Sequence, residues 1–386
     1  MATLIVGDVH LRRDADDGTA TALAALIRAG GWSEITSSGD LIDLAGESVH
    51  APFEPSIRSV LGAHDSLRTA LAEHADRGGT IRVLGGNHDD ELATSSGVEA
   101  LRDGLGLAGA TRDRVVAAPW FARLGPCGDV HVEHGHQYDP DNALPHSLTP
   151  PDPAWNSLGI GLMRRFIAPL GAHALVHSNG RAPLPALVHT FEVFGARLPL
   201  IVARYVLTAV REVARAGDAY PSREAANRAG ALMEAFVVTS RLTREQVEAV
   251  AALRAEPTLS SARETFFRLY LDRVFALIVA TAAGASVLAG GPGRRLALAS
   301  ATVLVVSILA RTNRYGGRVG TALHAAADAI VAATGARTVV MGHVHEAVEH
   351  GSYINTGSFA FPGASPGRPY VSIDDDGQVA RRFLPA

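Results

Sequence analysis

Lysine is absent from the 386-residue sequence, so arginine supplies all 35 of its basic side chains. This absence excludes a phosphate-binding loop of the Gly-Lys-Ser/Thr type and any mechanism that uses a Schiff-base lysine. The single cysteine, Cys127, excludes an internal disulfide and is typical of a reducing compartment. The formal net charge of −4 leaves no basic excess for neutralising phosphate backbones, so we expect no nucleic-acid partner.

What is present near the N-terminus is an alternation of short apolar runs and helical patterns, which is typical of an α/β fold. The segments "TLIV", "EITSSGD", "TIRVLGG" and "DVHVEHGH" predict strands, and the alternation in "DVHVEHGH" predicts a half-buried one. Close to residue 340, "RTVVMGHVH" predicts another strand, entered from the helix "ALHAAADAIVAATGA". Each predicted strand ends in polar residues beside glycine, and in α/β proteins ligands bind at such strand ends.

The first of these ends, "GDVH", places Asp8 and His10 two residues apart. Side chains at positions i and i+2 of an extended segment point the same way, so this pair converges on one point. The other strand ends carry similar groups: Asp40 in "SGDLID", Asn87 and His88 in "GGNHDD", His134 in "EHGH", and His343 and His345 in "MGHVH". Carboxylate, amide and imidazole groups without thiolate are ligands for hard or borderline divalent cations. Two such cations about 3.5–4 Å apart need a bridging group.

The blocks "GDVH", "GDLID", "GNHD", "HGH" and "GHVH" resemble, in order and spacing, those of the calcineurin-like metallophosphoesterase superfamily. The resemblance covers about residues 1–140 and 330–360, and "INTGSF" resembles the closing segment of that family. It implies an α/β fold in which a two-sheet β-sandwich is flanked by helices. It also implies one metal ion held by Asp8, His10 and His345, a second held by Asn87, His134 and His343, and a bridging Asp40. His88 corresponds to the histidine that contacts the phosphate and protonates the leaving oxygen.

The resemblance further implies hydrolysis of a phosphodiester, phosphomonoester or diphosphate bond by a hydroxide that bridges two divalent ions. Manganese is the expected metal, while iron, zinc and cobalt also suit oxygen and imidazole ligands. His136, Asp43, Asp89 and Arg12 are candidates for contacts behind the ligands or to the substrate. A non-catalytic scaffold that retains this site is the alternative from another class of protein.

Between residues 146 and 324 the sequence pattern changes. The proline-rich "HSLTPPDPAW" predicts a boundary, and long helical patterns with scattered arginines follow it. We therefore expect a catalytic core in two parts, residues 1–145 and 325–386, that is interrupted by an all-helical insertion over 146–324. Residues 274–293 and 296–310 contain no charged side chain and are joined by "GGPGRR", which predicts an apolar helical hairpin over about 274–310.

The hairpin leaves three interpretations open: it crosses a membrane, it lies in a membrane surface, or it is buried, including within a homo-oligomer. Arginines on both flanks would keep its ends, and the enzyme, on the cytoplasmic side of an inner membrane. The start "MATLIV" lacks the basic region of a signal peptide, which favours the same location. The substrate expected is then an amphipathic or lipid-linked phosphate ester, and UDP-2,3-diacylglucosamine diphosphatases are similar in architecture. The alternative enzyme is a soluble nucleotide phosphatase or phosphodiesterase whose insertion caps the site or dimerises.

Overall fold

The computed structural model describes residues 2–47, 52–149, 156–171, 191–217, 223–290, 293–309 and 318–385. These residues form two compact units. Unit 1 comprises Met1–Asn156, Pro221–Pro257 and Val319–Ala386, and unit 2 comprises Ser157–Tyr220 and Thr258–Arg318. Residues 150–155 of the predicted proline-rich boundary lie outside the described residues.

Unit 1 contains two β-sheets. Its strands are β1 (Thr3–Val6), β2 (Glu34–Ser37), β3 (Thr80–Leu84), β4 (Val115–Ala118), β5 (Phe121–Leu124), β6 (Val130–Glu133), β7 (Thr338–Met341), β8 (Ala347–His350), β9 (Tyr353–Thr356), β10 (Gly367–Ile373) and β11 (Val379–Pro385). One sheet has the order β11-β10-β1-β2-β3-β4, and the other has the order β5-β6-β7-β9-β8. β1 to β4 run parallel, and so do β6, β7 and β9. The carboxyl ends of neighbouring strands therefore meet at one edge of each sheet.

The two sheets pack face to face around a shared apolar layer. Ile5 and Leu84 from the first sheet and Val132 and Val340 from the second belong to the same buried cluster. Helices α1 (Gly18–Ala29), α2 (Phe53–Ala63), α3 (Asp65–Asp76) and α4 (Ser95–Gly104) cover the outer face of the first sheet. The outer face of the second sheet is covered by residues 223–240, 244–251 and 318–334, which are helical. The predicted helix-flanked β-sandwich is thus confirmed.

The prediction that β6 is half-buried is wrong. His131 and Glu133 are as buried as the valines beside them, because helices cover this face of the second sheet. The Glu133 carboxylate accepts hydrogen bonds from Trp120 Nε1 at 3.0 Å and Tyr138 Oη at 2.7 Å. A buried carboxylate keeps a stable place in a core when donors satisfy its oxygens in this way.

Unit 2 is helical throughout its described residues. In chain order, its helices are α5 (Leu158–Leu162), a π-helical turn (Met163–Ile167), α6 (Leu198–Arg215), α9 (Ala262–Arg268), α10 (Leu271–Leu288) and α11 (Arg294–Leu309). Helices α7 (Arg223–Ser240), α8 (Arg244–Ala251) and, apart from Arg318, α12 (Arg318–Thr334) belong to unit 1 and pack on its second sheet. α10 and α11 lie against each other over the predicted apolar hairpin. Two stretches among the described residues, Phe191–Arg215 and Leu271–Leu288, are long and apolar enough to cross a membrane by length and composition alone.

Candidate metal centre

The polar side chains at the strand ends come together in unit 1. Asp8 and His10 follow β1, Asp40 follows β2, and Asn87 with His88 follows β3. His134 follows β6 in the second sheet, and His343 and His345 follow β7. Because the carboxyl ends of β1–β3 and of β6–β7 lie at the same end of the sandwich, residues more than 300 positions apart in the chain become neighbours, as His10 and His345 are.

The backbone at these positions is unusual. Among the described residues, seven that are not glycine have a positive φ, and five of these carry predicted ligands: Asp8, His10, Asp40, His343 and His345. A left-handed conformation costs a residue with a Cβ about 1 kcal/mol or more. Such strain concentrates at functional sites, where it aims side chains that an ordinary turn would point elsewhere.

Two glycines allow other backbone segments to approach these carboxylates. A Cβ at Gly86 would lie 2.1 Å from Asp40 Oδ1, and a Cβ at Gly342 would lie 2.4 Å from Asp8 Oδ2. No side-chain carbon fits at such distances. Glycine is therefore required at both places for the loops after β3 and β7 to reach the loops after β1 and β2.

The first group of ligands consists of Asp8, His10 and His345. His345 Nε2 lies 3.1 Å from Asp8 Oδ1 and 3.2 Å from His10 Nε2. The three groups offer one carboxylate oxygen and two imidazole nitrogens within 4.8 Å of one another. This donor set suits a borderline divalent cation.

The second group of ligands consists of Asn87, His134 and His343, and its hydrogen bonds show that the three side chains need a cation between them. His134 Nδ1 donates to Ser38 O at 3.2 Å, and His343 Nε2 donates to Asp139 Oδ2 at 3.0 Å. In the neutral imidazoles the other nitrogens are then lone-pair acceptors. Both of these nitrogens face a further acceptor, Asn87 Oδ1, at 2.9 and 3.0 Å. Acceptors that converge in this way need a cation between them, either a proton on an imidazole or a metal ion, and this donor set fits a metal ion.

Asp40 lies between the two groups. Its Oδ2 is 3.7 Å from His10 Nε2 in the first group and 3.3 Å from His134 Nε2 in the second. Its Oδ1 accepts a hydrogen bond from the backbone N–H of His88 at 2.9 Å. One carboxylate therefore faces both groups of ligands, which is the arrangement that a bridging ligand needs.

The charges of the site favour a cation. Burial raises the pKa of Asp40, but the neighbouring imidazoles, His134 first among them, outweigh it and hold this pKa well below its ordinary value. Burial lowers the pKa of His134, yet the nearby carboxylates, Asp40 first among them, together outweigh that effect and raise this pKa to about 9. For His10, burial dominates and lowers the pKa to about 4. The carboxylates thus draw positive charge to this pocket, and a divalent ion would supply it in place of protons.

His88 stands beside the ligands rather than among the second group. Its Nδ1 lies 2.8 Å from Asp43 Oδ1, and its ring centroid is 4.8 Å from that of His10. Asp43 also accepts from Gly46 N at 2.8 Å, so this carboxylate is itself held in place. Asp43 therefore orients His88 and leaves its Nε2 available at the site.

Asp89 ties two of the loops together. Its carboxylate accepts from the backbone N–H groups of Asp40, Ile42 and Gly86, each at 3.0 Å. Burial, and after it the charge of Asp40, raise the pKa of Asp89 to about 7. Its contacts are to backbone, so Asp89 supports the loop geometry from behind.

Sequence reasoning missed a supporting loop after β6. Asp139 Oδ2 accepts from His343 Nε2 at 3.0 Å and from Asn142 Nδ2 at 2.7 Å, and Asn142 Oδ1 accepts from Asn87 Nδ2 at 3.4 Å. One loop thus orients two ligands that come from different sheets. The only signal in the sequence is that Asp139 follows the "HGHQY" block.

The closing segment "INTGSF" lies against β1. Ser358 Oγ donates to the carbonyl of Asp8 at 2.9 Å, and the Phe359 and Ala360 N–H groups donate to Gly7 and Asp8 carbonyls, both at 3.2 Å. Phe361, which is exposed, places its ring centroid 6.1 Å from that of His10. Phe361 is a second residue at the site that the motifs did not predict.

The remaining candidates lie at different distances from the ligands. His136 is buried with its ring centroid 5.4 Å from that of His134, and burial lowers its pKa well below the ordinary value. Arg12 Nε donates to the exposed Asp14 at 3.0 Å. The structure therefore places His136 behind the ligands and pairs Arg12 with a surface carboxylate.

Comparison with known families agrees with this geometry. The model of the calcineurin-like phosphoesterase family matches residues 1–190, about half of the chain. The matched part carries Asp8, Asp40, Asn87 and His134, whereas His343 and His345 come from the part beyond it. Comparison with curated proteins gives no match.

Proposed function

Because the chain belongs to the calcineurin-like phosphoesterase superfamily and is a metal-dependent phosphoric ester hydrolase, we propose that it acts with two divalent ions on a membrane-associated or amphipathic phosphate ester. The observation that carries the two-ion proposal is the position of Asp40 Oδ2 between two groups of ligands. When bound, such ions activate water and neutralise charge on phosphoryl oxygens. We take manganese as the first metal to test, with iron, zinc and cobalt as alternatives.

In the proposed mechanism, His88 protonates the leaving oxygen. Asp43 holds His88 Nδ1 at 2.8 Å, so Nε2 is the atom that delivers the proton. His88 is only slightly exposed, which limits competing proton transfer from water. The ligands in front of it would hold the ions that bind the phosphoryl group, and the exposed ring of Phe361 gives the organic part of the substrate an apolar surface.

The experiment is hydrolysis of a bis-aryl phosphodiester by the manganese-loaded protein. We expect His88→Ala to reduce turnover about 10²–10⁴-fold, the usual contribution of a general acid, with metal content unchanged. We expect Asp40→Ala to lose both ions and all activity. Two equivalents of bound metal in Asp40→Ala would contradict the bridging role. A wild-type protein that binds both ions and hydrolyses neither phosphodiesters nor phosphomonoesters would favour the non-catalytic scaffold.

The proposal of a membrane-associated substrate is supported by unit 2. Helix α10 exposes Phe275, Leu277 and Ile278, and α11 exposes Leu298 and Val305, all at about half or more of their surface. Monomeric soluble proteins rarely expose an apolar face of this extent. The threonines of the hairpin suit an apolar surrounding, since Thr281 and Thr302 hydroxyls each donate to the carbonyl four residues earlier at 2.8 Å.

Membrane fractionation tests this part of the proposal. We expect the wild-type chain in the membrane fraction and a larger soluble share of the double variant Ile278→Asp/Val305→Asp, because each charge opposes entry of the hairpin into lipid. Val238→Asp is the matched control, since Val238 is exposed on unit 1. A soluble, active wild-type protein would favour the soluble nucleotide phosphatase or phosphodiesterase instead.

A further inference from the structure

The two units differ sharply in charge. Unit 2 contains 15 arginines and 5 acidic residues, which gives it a formal charge of +10. Because the whole chain carries −4, the rest of the chain carries −14. A net charge near neutrality therefore conceals one strongly basic unit that is attracted to anionic surfaces and one acidic unit that is repelled by them.

Helix α6 combines this charge with apolar side chains on a single face. Ile201, Thr208, Ala209 and Glu212 are buried on one side of the helix. The opposite side exposes Leu200, Arg204, Leu207, Val210, Arg211 and Ala214, each of which lies three or four residues from another member of the set. Leu200 and Leu207 expose 67% and 76% of their surface, whereas leucines of this kind normally face a core. Arg204 and Arg211 pair with no acidic side chain among the described residues.

This face is typical of a helix that lies in the plane of a membrane surface. The leucines enter the acyl boundary, and the long arginine side chains reach up to the headgroups. A spanning orientation is unfavourable, because it would place the charged side chains of Arg204 and Arg211 near the bilayer centre, where arginine strongly opposes insertion. A nucleic acid would use the arginines and leave the leucines in water. A second copy of unit 2 would bring another +10 against the first.

We propose that the exposed face of α6 (Leu200, Arg204, Leu207, Val210, Arg211 and Ala214) binds the surface of bilayers that contain anionic phospholipids. This inference rests on the membrane association proposed above and adds the class of lipid and the surface that recognises it. The buried side supports the face: the Glu212 carboxylate accepts from Arg165 at 2.7 Å and from Arg215 at 2.8 Å, which anchors α6 within unit 2.

The test is sedimentation of the full-length protein with vesicles of phosphatidylcholine alone or of phosphatidylcholine with about one third phosphatidylglycerol. We expect tighter binding to the anionic vesicles and a loss of that preference as salt rises. Each arginine near such a surface contributes about 1 kcal/mol, so Arg204→Gln/Arg211→Gln should weaken binding about 30-fold. The control Arg58→Gln/Arg68→Gln removes the same charge from exposed sites of unit 1. Circular dichroism checks that each variant folds.

Equal binding of wild-type protein to both vesicles would overturn this inference and leave the membrane association in place. The inference would also be overturned if Arg204→Gln/Arg211→Gln and Arg58→Gln/Arg68→Gln weakened vesicle binding equally, since net charge alone would then explain the binding. If the mass measured by light scattering rises with protein concentration, and the Arg204→Gln/Arg211→Gln variant abolishes that rise, the face would be assigned to a second copy. If a short duplex DNA binds the wild-type protein and prevents its binding to vesicles, the face would be assigned to nucleic acid. Hydrolysis of the soluble phosphodiester, measured without vesicles, tests the phosphoesterase proposal separately.

Discussion

Removal of the Asp139 carboxylate should weaken one metal site and spare the other. In the native protein this carboxylate accepts from His343 Nε2, from Asn142 Nδ2 and from the backbone N–H of Asp141. Asp139→Ala frees the proton of His343 to move to Nδ1, where it would donate to Asn87 Oδ1, now 3.0 Å away. In that tautomer Nδ1 of His343 carries the proton, so its lone pair is no longer available to bind the metal ion. Loss of such an outer partner typically costs 10–100-fold in metal affinity, or about 1.4–2.7 kcal/mol.

The loop itself should survive this substitution. The backbone carbonyl of Asp139 accepts from the N–H of Asn142 at 2.9 Å and also from the N–H of Ala143, and neither bond needs the side chain. Asp139→Asn keeps an oxygen that accepts from His343, so we expect it to restore most of the affinity. Asp129→Ala is the matched control, because Asp129 pairs with Arg337 at 2.9 Å instead of with a ligand.

The assay is metal content after equilibrium dialysis against manganese, supported by titration calorimetry. We expect two equivalents in the wild-type protein and in Asp129→Ala, and one equivalent in Asp139→Ala at metal concentrations that just saturate the wild type. Two equivalents of unchanged affinity in a folded Asp139→Ala protein would refute the reasoning. Equal weakening of both sites would also refute it, since the ligand that Asp139 contacts is His343, which belongs to the second group.

Three further predictions follow from the same geometry. Asp43→Asn should slow phosphodiester turnover less than His88→Ala does and leave metal content intact, because it removes a charge that orients and stabilises protonated His88 but removes no predicted ligand; a loss of metal would contradict this. Gly86→Ala should displace Asp40 and cost about 1–3 kcal/mol of unfolding free energy together with bound metal, whereas Gly31→Ala, where a Cβ meets nothing within 4 Å, should cost neither. Metal at about 100 times its Kd should stabilise the folded protein by about 2.7 kcal/mol per site, measured as a rise in Tm that a chelator reverses; an unchanged Tm would show that the folded state gains nothing from metal.

The part of this fold that the sequence predicts is the part encoded locally. Each strand that the sequence predicts is a short apolar run that ends in glycine and polar residues, and this pattern lies within about ten residues. What no local pattern shows is that the stretch 53–76 forms two helices, Phe53–Ala63 and Asp65–Asp76, which meet at His64. His64 is buried there and lies 2.9 Å from both Asp17 and the Arg12 carbonyl, partners about 50 residues away that no local pattern contains.

Tertiary partners also explain what sequence reasoning could not assign. Residues 223–251 have the same helical pattern as the rest of the central region, yet Phe236, Val247 and Val250 pack on the second sheet of unit 1. An amphipathic pattern indicates that a helix buries one face but not which surface covers it. Asp139 has the same limitation, since its partner His343 is 204 residues away.

The strained backbone of the metal centre is supported by bonds between loops and not within them. His10 N–H donates to the Asp40 carbonyl at 2.9 Å, Asp40 N–H donates to Asp89, and His343 N–H donates to the Asp8 carboxylate at 3.1 Å. Each left-handed residue costs about 1 kcal/mol or more, and these hydrogen bonds offset that cost with partners that are themselves ligands or their neighbours. The loops therefore hold one another in the coordinating geometry through protein contacts. Metal binding free energy then does not have to order the loops, which is the preorganisation that electrostatic catalysis needs.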